Sequence, residues 1–363
     1  MNDKPMLPLL RWLAAAAVLL AAGCSVLPGS GADEPATPQS YTNPVFVPSF
    51  ADPSVIRAED GLFYAYATEE DWGDGKGTRT VPVIRSEDLV HWTYVRDAFD
   101  LDGRPSWKQD GGGIWAPEIA RVNDSYYLYY SLATWGDMVT PGIGVAVSDR
   151  PEGPFADKGK LFTSEEIGVG NSIDPNYFED DDGRKYLIWG SFRGIYGIPL
   201  TSDGLRTEGE KFQLAGNAVE ASYLIKRDGW YYLFASSGTC CEGANSSYAV
   251  MVGRSKSVRG PYLDREGHDL TNSPGTLVMM GNNLTATEGT LFAGPGHNDV
   301  VTDDGGADWL VYHAIEVEHP ALPTGGVRRP LMIDRIVWQD GWPSIENIEN
   351  SGTERPGPMI RKR

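Results

Sequence analysis

Four acidic residues and one histidine stand at matching places along this chain: Asp52, Glu118, Asp174, Glu220 and His297 each precede a short apolar run, a polar turn and an aromatic run. The aromatic runs are Gly61-Leu-Phe-Tyr-Ala-Tyr, Asp124-Ser-Tyr-Tyr-Leu-Tyr-Tyr, Gly183-Arg-Lys-Tyr-Leu-Ile-Trp, Gly229-Trp-Tyr-Tyr-Leu-Phe and Asp308-Trp-Leu-Val-Tyr-His. In three copies the spacing from carboxylate to turn glycine is the same: Asp52 to Gly61, Asp174 to Gly183 and Glu220 to Gly229. Carboxylates that a repeat brings to one structural position are the parts needed to split a glycosidic bond. One donates a proton to the leaving oxygen and another activates water or attacks directly. A third holds the acid's pKa high by like-charge repulsion and orients it. Each residue also has a plainer reading. Asp before Pro commonly starts a turn, which covers Asp52 and Asp174 singly, and Glu118 in Trp115-Ala-Pro-Glu caps or braces a neighbouring unit. Burying three carboxylates together is costly unless something uses them.

The elements that must position these residues follow from the repeat. Each copy continues into a second hairpin, such as Val81-Pro-Val-Ile-Arg-Ser and Leu89-Val-His-Trp-Thr-Tyr in the first copy. Two hairpins make four antiparallel strands, and five such units predict an all-β, five-bladed β-propeller. No long segment has helical periodicity, and Gly, Tyr and Trp are plentiful, as many short strands and turns require. The first strand of each blade is expected innermost, so the five heading residues converge on the central axis at one face. Trp72, Trp107, Trp115, Trp135 and Phe192 lie near those heads and are candidate sugar platforms, though aromatic core filler is the commoner role.

The net charge of −19 excludes nucleic acid as a partner, because phosphate recognition needs clustered Lys and Arg. Residues 1–23 read as a secretory signal: Lys4 and Arg11 lead a short apolar run, and Leu20-Ala-Ala-Gly-Cys24 resembles a bacterial lipoprotein box. The alternative is a soluble secreted protein whose cysteine falls near the cleavage site. Residues 24–40 then form a flexible tether, 41–349 the propeller and 350–363 a C-terminal tail. Any membrane attachment is expected only through a lipid on Cys24, at the bacterial cell envelope. A monomer is expected. Cys240 and Cys241 are adjacent, so they either form a vicinal bridge or stay reduced.

Taken in order, Ala51-Asp52-Pro-Ser-Val, Trp115-Ala-Pro-Glu118, Asn171-Ser-Ile-Asp174-Pro-Asn and Val219-Glu220-Ala-Ser-Tyr resemble the motif series of glycoside hydrolase family 43. Cys240-Cys241-Glu-Gly and Gly294-Pro-Gly-His297-Asn are similar to its arabinan endo-1,5-α-L-arabinosidase subgroup. The resemblance implies Asp52 as general base, Glu220 as general acid and Asp174 as the carboxylate tuning Glu220. It implies inversion of configuration, which needs carboxyl groups about 6.5–9.5 Å apart with water between them. Trp115, Trp135, Asn171 and Phe192 are the implied sugar contacts, and plant cell-wall arabinan or its oligosaccharides the implied substrate. His297 matches a histidine that ligates a calcium or sodium ion, with water completing the shell; the plain alternative is a neutral histidine hydrogen-bonded in the channel. An exo-acting α-L-arabinofuranosidase or β-xylosidase is the rival within the family, and a surface carbohydrate-binding propeller the rival outside enzymes. Residues 69–77 and 313–326 match no shared motif and are expected to overhang a propeller face, where they would close one end of the cleft.

Overall fold

The computed structural model describes residues 40–108, 112–281, 291–345 and 353–361. The predicted signal and nearly all of the tether lie outside the described residues. Five four-stranded antiparallel sheets follow one another, each with its strands in chain order, as the repeat predicts. Blade 1 contains Ser54–Arg57, Phe63–Tyr66, Pro82–Ser86 and Trp92–Asp97; blade 2 contains Gly113–Val122, Ser125–Ala133, Gly142–Ser148 and Ala156–Thr163. Blade 3 contains Asn176–Glu179, Lys185–Trp189, Ile195–Leu200 and Phe212–Ala215; blade 4 contains Glu220–Arg227, Trp230–Ser237, Ala249–Ser255 and Thr276–Met280. Blade 5 contains Phe292–Thr302, Asp308–Glu316, Leu331–Gln339 and Trp342–Ile345. The first strands of neighbouring blades pack together around the ring, and the first strand of blade 5 meets that of blade 1.

The unbroken aromatic runs are explained by where the second strands sit. Sheets face each other on both sides, so a second strand is buried on both faces and needs no polar alternation. In blade 1, Phe63 and Ala65 pack with Trp309 and Ile333 of blade 5, while Tyr64 and Tyr66 pack with Leu128 and Tyr130 of blade 2. Blade 4 repeats the division: Leu233 and Ala235 face blade 3, and Tyr232 and Phe234 face blade 5. Each interface thus has its own apolar cluster, and five clusters together form the core.

The seam between blades 5 and 1 is closed by the segment that precedes blade 1. The Asn43 amide donates to Ile333 O at 2.8 Å and accepts from Ile333 N at 3.0 Å. Beside it, the buried Asp334 accepts from Tyr312 Oη at 2.6 Å and Tyr41 Oη at 3.1 Å. The C-terminal segment joins this seam instead of trailing from it. Arg355–Pro356 pairs with Ser40–Tyr41, and the Met359 amide donates to Asp303 Oδ2 at 3.0 Å.

Candidate active site

At the start of each blade one residue takes the left-handed conformation: Asp52 (φ 56°), Ala116 (φ 42°), Asp174 (φ 59°), Ala221 (φ 52°) and His297 (φ 49°). A non-glycine residue held there costs on the order of 1–3 kcal/mol, so something must fix it. The fixing contacts come mostly from the preceding blade's second strand or from just beyond its end. Ala116 N donates to Thr68 Oγ1 at 2.8 Å, Asp174 N to Ser131 Oγ at 3.0 Å, and His297 N to Ser236 Oγ at 2.9 Å. Asp52 N donates to His313 Nδ1 at 3.0 Å, and Ala221 N to Asp174 Oδ2 at 3.2 Å.

This frame corrects two expectations. Glu118 does not sit at the level of the other four heads; Ala116 does, and Glu118 lies two residues further down the strand. Its partners there are Ser54, Asn176 and the Tyr177 amide, and it does not line the cavity. Glu220 stands one place before the left-handed residue of blade 4, so its equal spacing to the turn glycine reflects a shorter hairpin, not an identical position. The prolines carried the correct register: Asp52-Pro53, Ala116-Pro117 and Asp174-Pro175 align Ala116, not Glu118, with the two aspartates.

The three predicted catalytic carboxylates nevertheless meet in one cavity of about 570 Å³ on the axis. Trp115, Trp135, Asn171, Phe192 and His297 also line it, so every predicted sugar contact is present. Trp135 is 77% exposed, which leaves a large apolar face open beside the site. Trp72 and Trp107 do not line it; they pack with the core clusters.

The environments of the carboxylates differ sharply. Asp52 receives a hydrogen bond from Thr68 Oγ1 at 2.5 Å, and its Oδ1 lies 3.2 Å from Arg329 Nη1, 3.2 Å from His297 Nδ1 and 3.4 Å from His313 Nδ1. Burial acts to raise its pKa, but Arg329 and then His297 override it and hold it well below the usual carboxylate range. Glu220 has no such counter-ion at contact. Ser191 Oγ donates to its Oε2 at 2.5 Å and Tyr248 Oη to its Oε1 at 2.7 Å, and burial raises its pKa against those hydroxyls. Asp174 is raised to about 8 by burial, with the charges of Glu220 and Asp52 adding and His297 opposing. His297 is raised to about 8: burial opposes its charge, but Asp52, Asp174 and Glu220 favour it. Burial and the nearby Arg329 keep His313 neutral, well below its usual range.

Arg329, His313, Tyr248, Ser191 and Thr68 escape sequence reasoning. Spacing alone groups His313 with an unmatched insertion, whereas it is a fully buried residue of the strand Asp308–Glu316. A signal exists: Thr68, Ser236 and His313 each stand seven residues after their turn glycines Gly61, Gly229 and Gly306. The two unmatched segments do meet at the rim. A Cβ on Gly73 would lie 2.8 Å from Pro323, and Thr324 Oγ1 donates to Asp71 O at 3.3 Å. Glu69 and Glu70 from this corner line the cavity, with Glu69 tied to Arg104 at 3.0 Å. Cys240 and Cys241 form a disulfide, which resolves their two alternatives.

The model of the glycosyl hydrolases family 43 matches residues 41–343. This chain belongs to glycosyl hydrolase family 43. It is therefore a glycoside hydrolase. An extracellular endo-α-(1→5)-L-arabinanase of Bacillus subtilis is 33% identical over 81% of this chain and 86% of its own length. An extracellular exo-α-(1→5)-L-arabinofuranosidase of Cellvibrio japonicus is 32% identical over 82% of this chain and 86% of its own length. The solved α-L-arabinanase of Cellvibrio cellulosa in complex with arabinohexaose superposes with a TM-score of 0.70 at 29% identity, covering 87% of this chain and 99% of that one.

Proposed function

We propose that this family 43 enzyme hydrolyses α-1,5-L-arabinofuranosyl linkages in arabinan with inversion of configuration. The observation that carries the reading is the opposed setting of two carboxylates in one sugar-sized cavity. Asp52 is kept ionised by Arg329 and His297, while Glu220 is biased towards its protonated form. In the reaction Asp52 takes a proton from water as that water attacks the anomeric carbon, and Glu220 gives its proton to the departing oxygen. The hydroxyls of Ser191 and Tyr248 hold Glu220 through both states, since each can donate to the carboxylate or accept from the acid. Asp174, once ionised, resists ionisation of Glu220 by like-charge repulsion. Trp115, Trp135, Phe192 and Asn171 hold the sugars.

A calcium or sodium ion at His297 fits the residues present in one way only. Among the described residues no group of three or more His, Cys, Asp or Glu is arranged to hold a metal. The chain thus offers one imidazole, and water must supply the other ligands. Beside that imidazole, the amide of the adjoining Asn298 and Nε2 of His313, whose ring centre lies 6.4 Å from that of His297, are buried without protein partners, as groups that serve an ion's water shell would be. An ion held there would supply positive charge to the site. Elemental analysis of wild type and His297→Ala tests the ligand: equal metal content removes it.

Product analysis on linear debranched arabinan tests the reaction. Oligosaccharides released first, with the β-anomer formed initially by NMR, support internal cleavage with inversion. No release of reducing sugar rejects the function. Exo action is the second reading, favoured by the corner where residues 69–77 meet Pro323 at the rim; it predicts one short product from the first minutes. The chain is further proposed to be secreted, as the two extracellular relatives are, and held at the envelope by a lipid on Cys24. Radiolabelled palmitate incorporation that survives Cys24→Ser would reject the anchor.

A further inference from the structure

The mechanism uses neither Cys240 nor Cys241, yet both line the cavity. Their disulfide closes a small ring through a single peptide bond, so it adds little loop-closure stabilisation. Nor is it needed to hold its loop. Thr239 N donates to Ser247 Oγ at 3.1 Å and Ser247 N to Thr239 Oγ1 at 3.3 Å, while Glu242 N donates to Ser246 Oγ at 2.9 Å. Tyr248 N closes the loop on Thr239 O at 3.1 Å, and Gly238 has φ 90° with no room for a Cβ against Ser247 O. What the disulfide does supply is surface.

The cavity lining is uneven around the ring. Blades 2 and 3 and the segment joining them present Trp115, Trp135, Met138, Ile173 and Phe192, an apolar wall. On the side of blades 4 and 5 the lining is Thr239, Glu242, Tyr248, His297 and Arg329, apart from Gly238, Glu220 and the two cysteines. Tyr248 is buried, with its ring stacked on His313 at 6.0 Å and its hydroxyl on Glu220. The disulfide is therefore the apolar side-chain surface of that half, two blades around from Trp115 and Trp135. A furanose ring has a nonpolar face that needs such a surface, and a rigid one costs least to order.

We propose that the Cys240–Cys241 disulfide is a sugar platform, receiving an arabinofuranosyl ring on the far side of the carboxylates from the Trp115 and Trp135 wall. This rests on the arabinan reading. A bound chain then runs from the aromatic wall, over Asp52 and Glu220, to the sulfur wall.

The test is calorimetric binding of α-1,5-L-arabinohexaose in a Glu220→Gln background, with and without the pair Cys240→Ser and Cys241→Ser. The platform predicts a five- to twentyfold weaker Kd for the serine pair. In the active background it predicts a matching rise in KM, with kcat within twofold. Reducing the folded, unsubstituted protein with a phosphine, with the freed thiols counted, must shift Kd in the same direction and guards against misfolding of the serine pair. An unchanged Kd after both treatments overturns the platform. So does a fall in kcat at constant Kd, which would mean that the disulfide serves Tyr248 instead. If the Glu220→Gln protein with its disulfide intact binds no arabinohexaose, the arabinan reading falls and takes the platform with it.

Discussion

Two tiers of side chains face the central axis, two residues apart on the same strands. The upper tier begins with Asp52, Ala116, Asp174, Ala221 and His297; the lower is Ser54, Glu118, Asn176, Tyr223 and Asp299. In the lower tier four of the five side chains accept the amide that follows their counterpart in the next blade. Val55 N donates to Asp299 at 2.6 Å, Ile119 N to Ser54 at 3.1 Å, Tyr177 N to Glu118 at 3.1 Å and Leu224 N to Asn176 at 2.9 Å. At the fifth junction the Val300 amide instead donates to Asp299 of its own blade. In the upper tier only Asp174 accepts a head-residue amide, that of Ala221, and the carboxylates of Asp52, Asp174 and the adjoining Glu220 line the cavity. The same strand register thus gives a hydrogen-bonded belt at one level and cavity-lining carboxylates at the next. A buried carboxylate whose lone pairs are all occupied holds blades together; one with capacity left over can move protons.

The largest effect that separates the tiers is on turnover. Glu220→Gln should lower kcat on arabinan by roughly 10³-fold or more while leaving a measurable Kd for arabinohexaose, because only proton donation is lost. Near-normal turnover in that variant would dissolve the distinction between the tiers. Next in size, Glu118→Ala strands the Tyr177 amide and the Asn176 side chain, and should cost roughly 3–5 kcal/mol in urea unfolding. The folded fraction should keep its kcat and pH profile; a kcat loss with stability intact would place Glu118 in the chemistry.

Asp174→Asn probes the link between Asp174 and Glu220. Removing a like charge lowers the pKa of Glu220, which must be protonated to act, so the high-pH limb of kcat/KM should move to lower pH, with activity down about 10- to 100-fold. A limb that stays in place would deny the tuning role. The smallest effect concerns pH and stability. Burial, then the charge of Asp299, raises Glu118 to about 8, and burial raises Asp299 to about 7. Carboxyls raised on folding contribute stability that is complete below their unfolded pKa and is lost as pH climbs through the folded values. Wild type should therefore lose stability between about pH 4.5 and 8, at up to roughly 1.4 kcal/mol per unit for one shared proton. Glu118→Gln should flatten that slope, as equilibrium unfolding at several pH values will show.

The blades were legible because second strands buried on both faces leave unbroken apolar runs between turns, a pattern that survives in one sequence. Asp52, Asp174 and Glu220 were legible because they head those runs. The lower tier was not, since Ser54, Asn176 and Tyr223 share a role without sharing a residue type, and Glu118 reads with the upper tier when counted from its turn. Arg329 lies outside the repeated strands, at the end of a blade 5 loop, so nothing in the spacing ties it to Asp52. Tyr248 reads as the opening residue of a hairpin, and only the folded loop turns its hydroxyl to Glu220.

The seam between blades 5 and 1 gives Asp52, the proposed base, an unusual dependence on chain order. Asp52 belongs to the first blade, yet its amide is held by His313 and its carboxylate by Arg329, 261 and 277 residues later. Four blades can form during synthesis while Asp52 still lacks the charges that keep it ionised. Catalytic competence therefore arrives only when the last blade docks on the first, so the recovery of activity during refolding is a direct clock for ring closure.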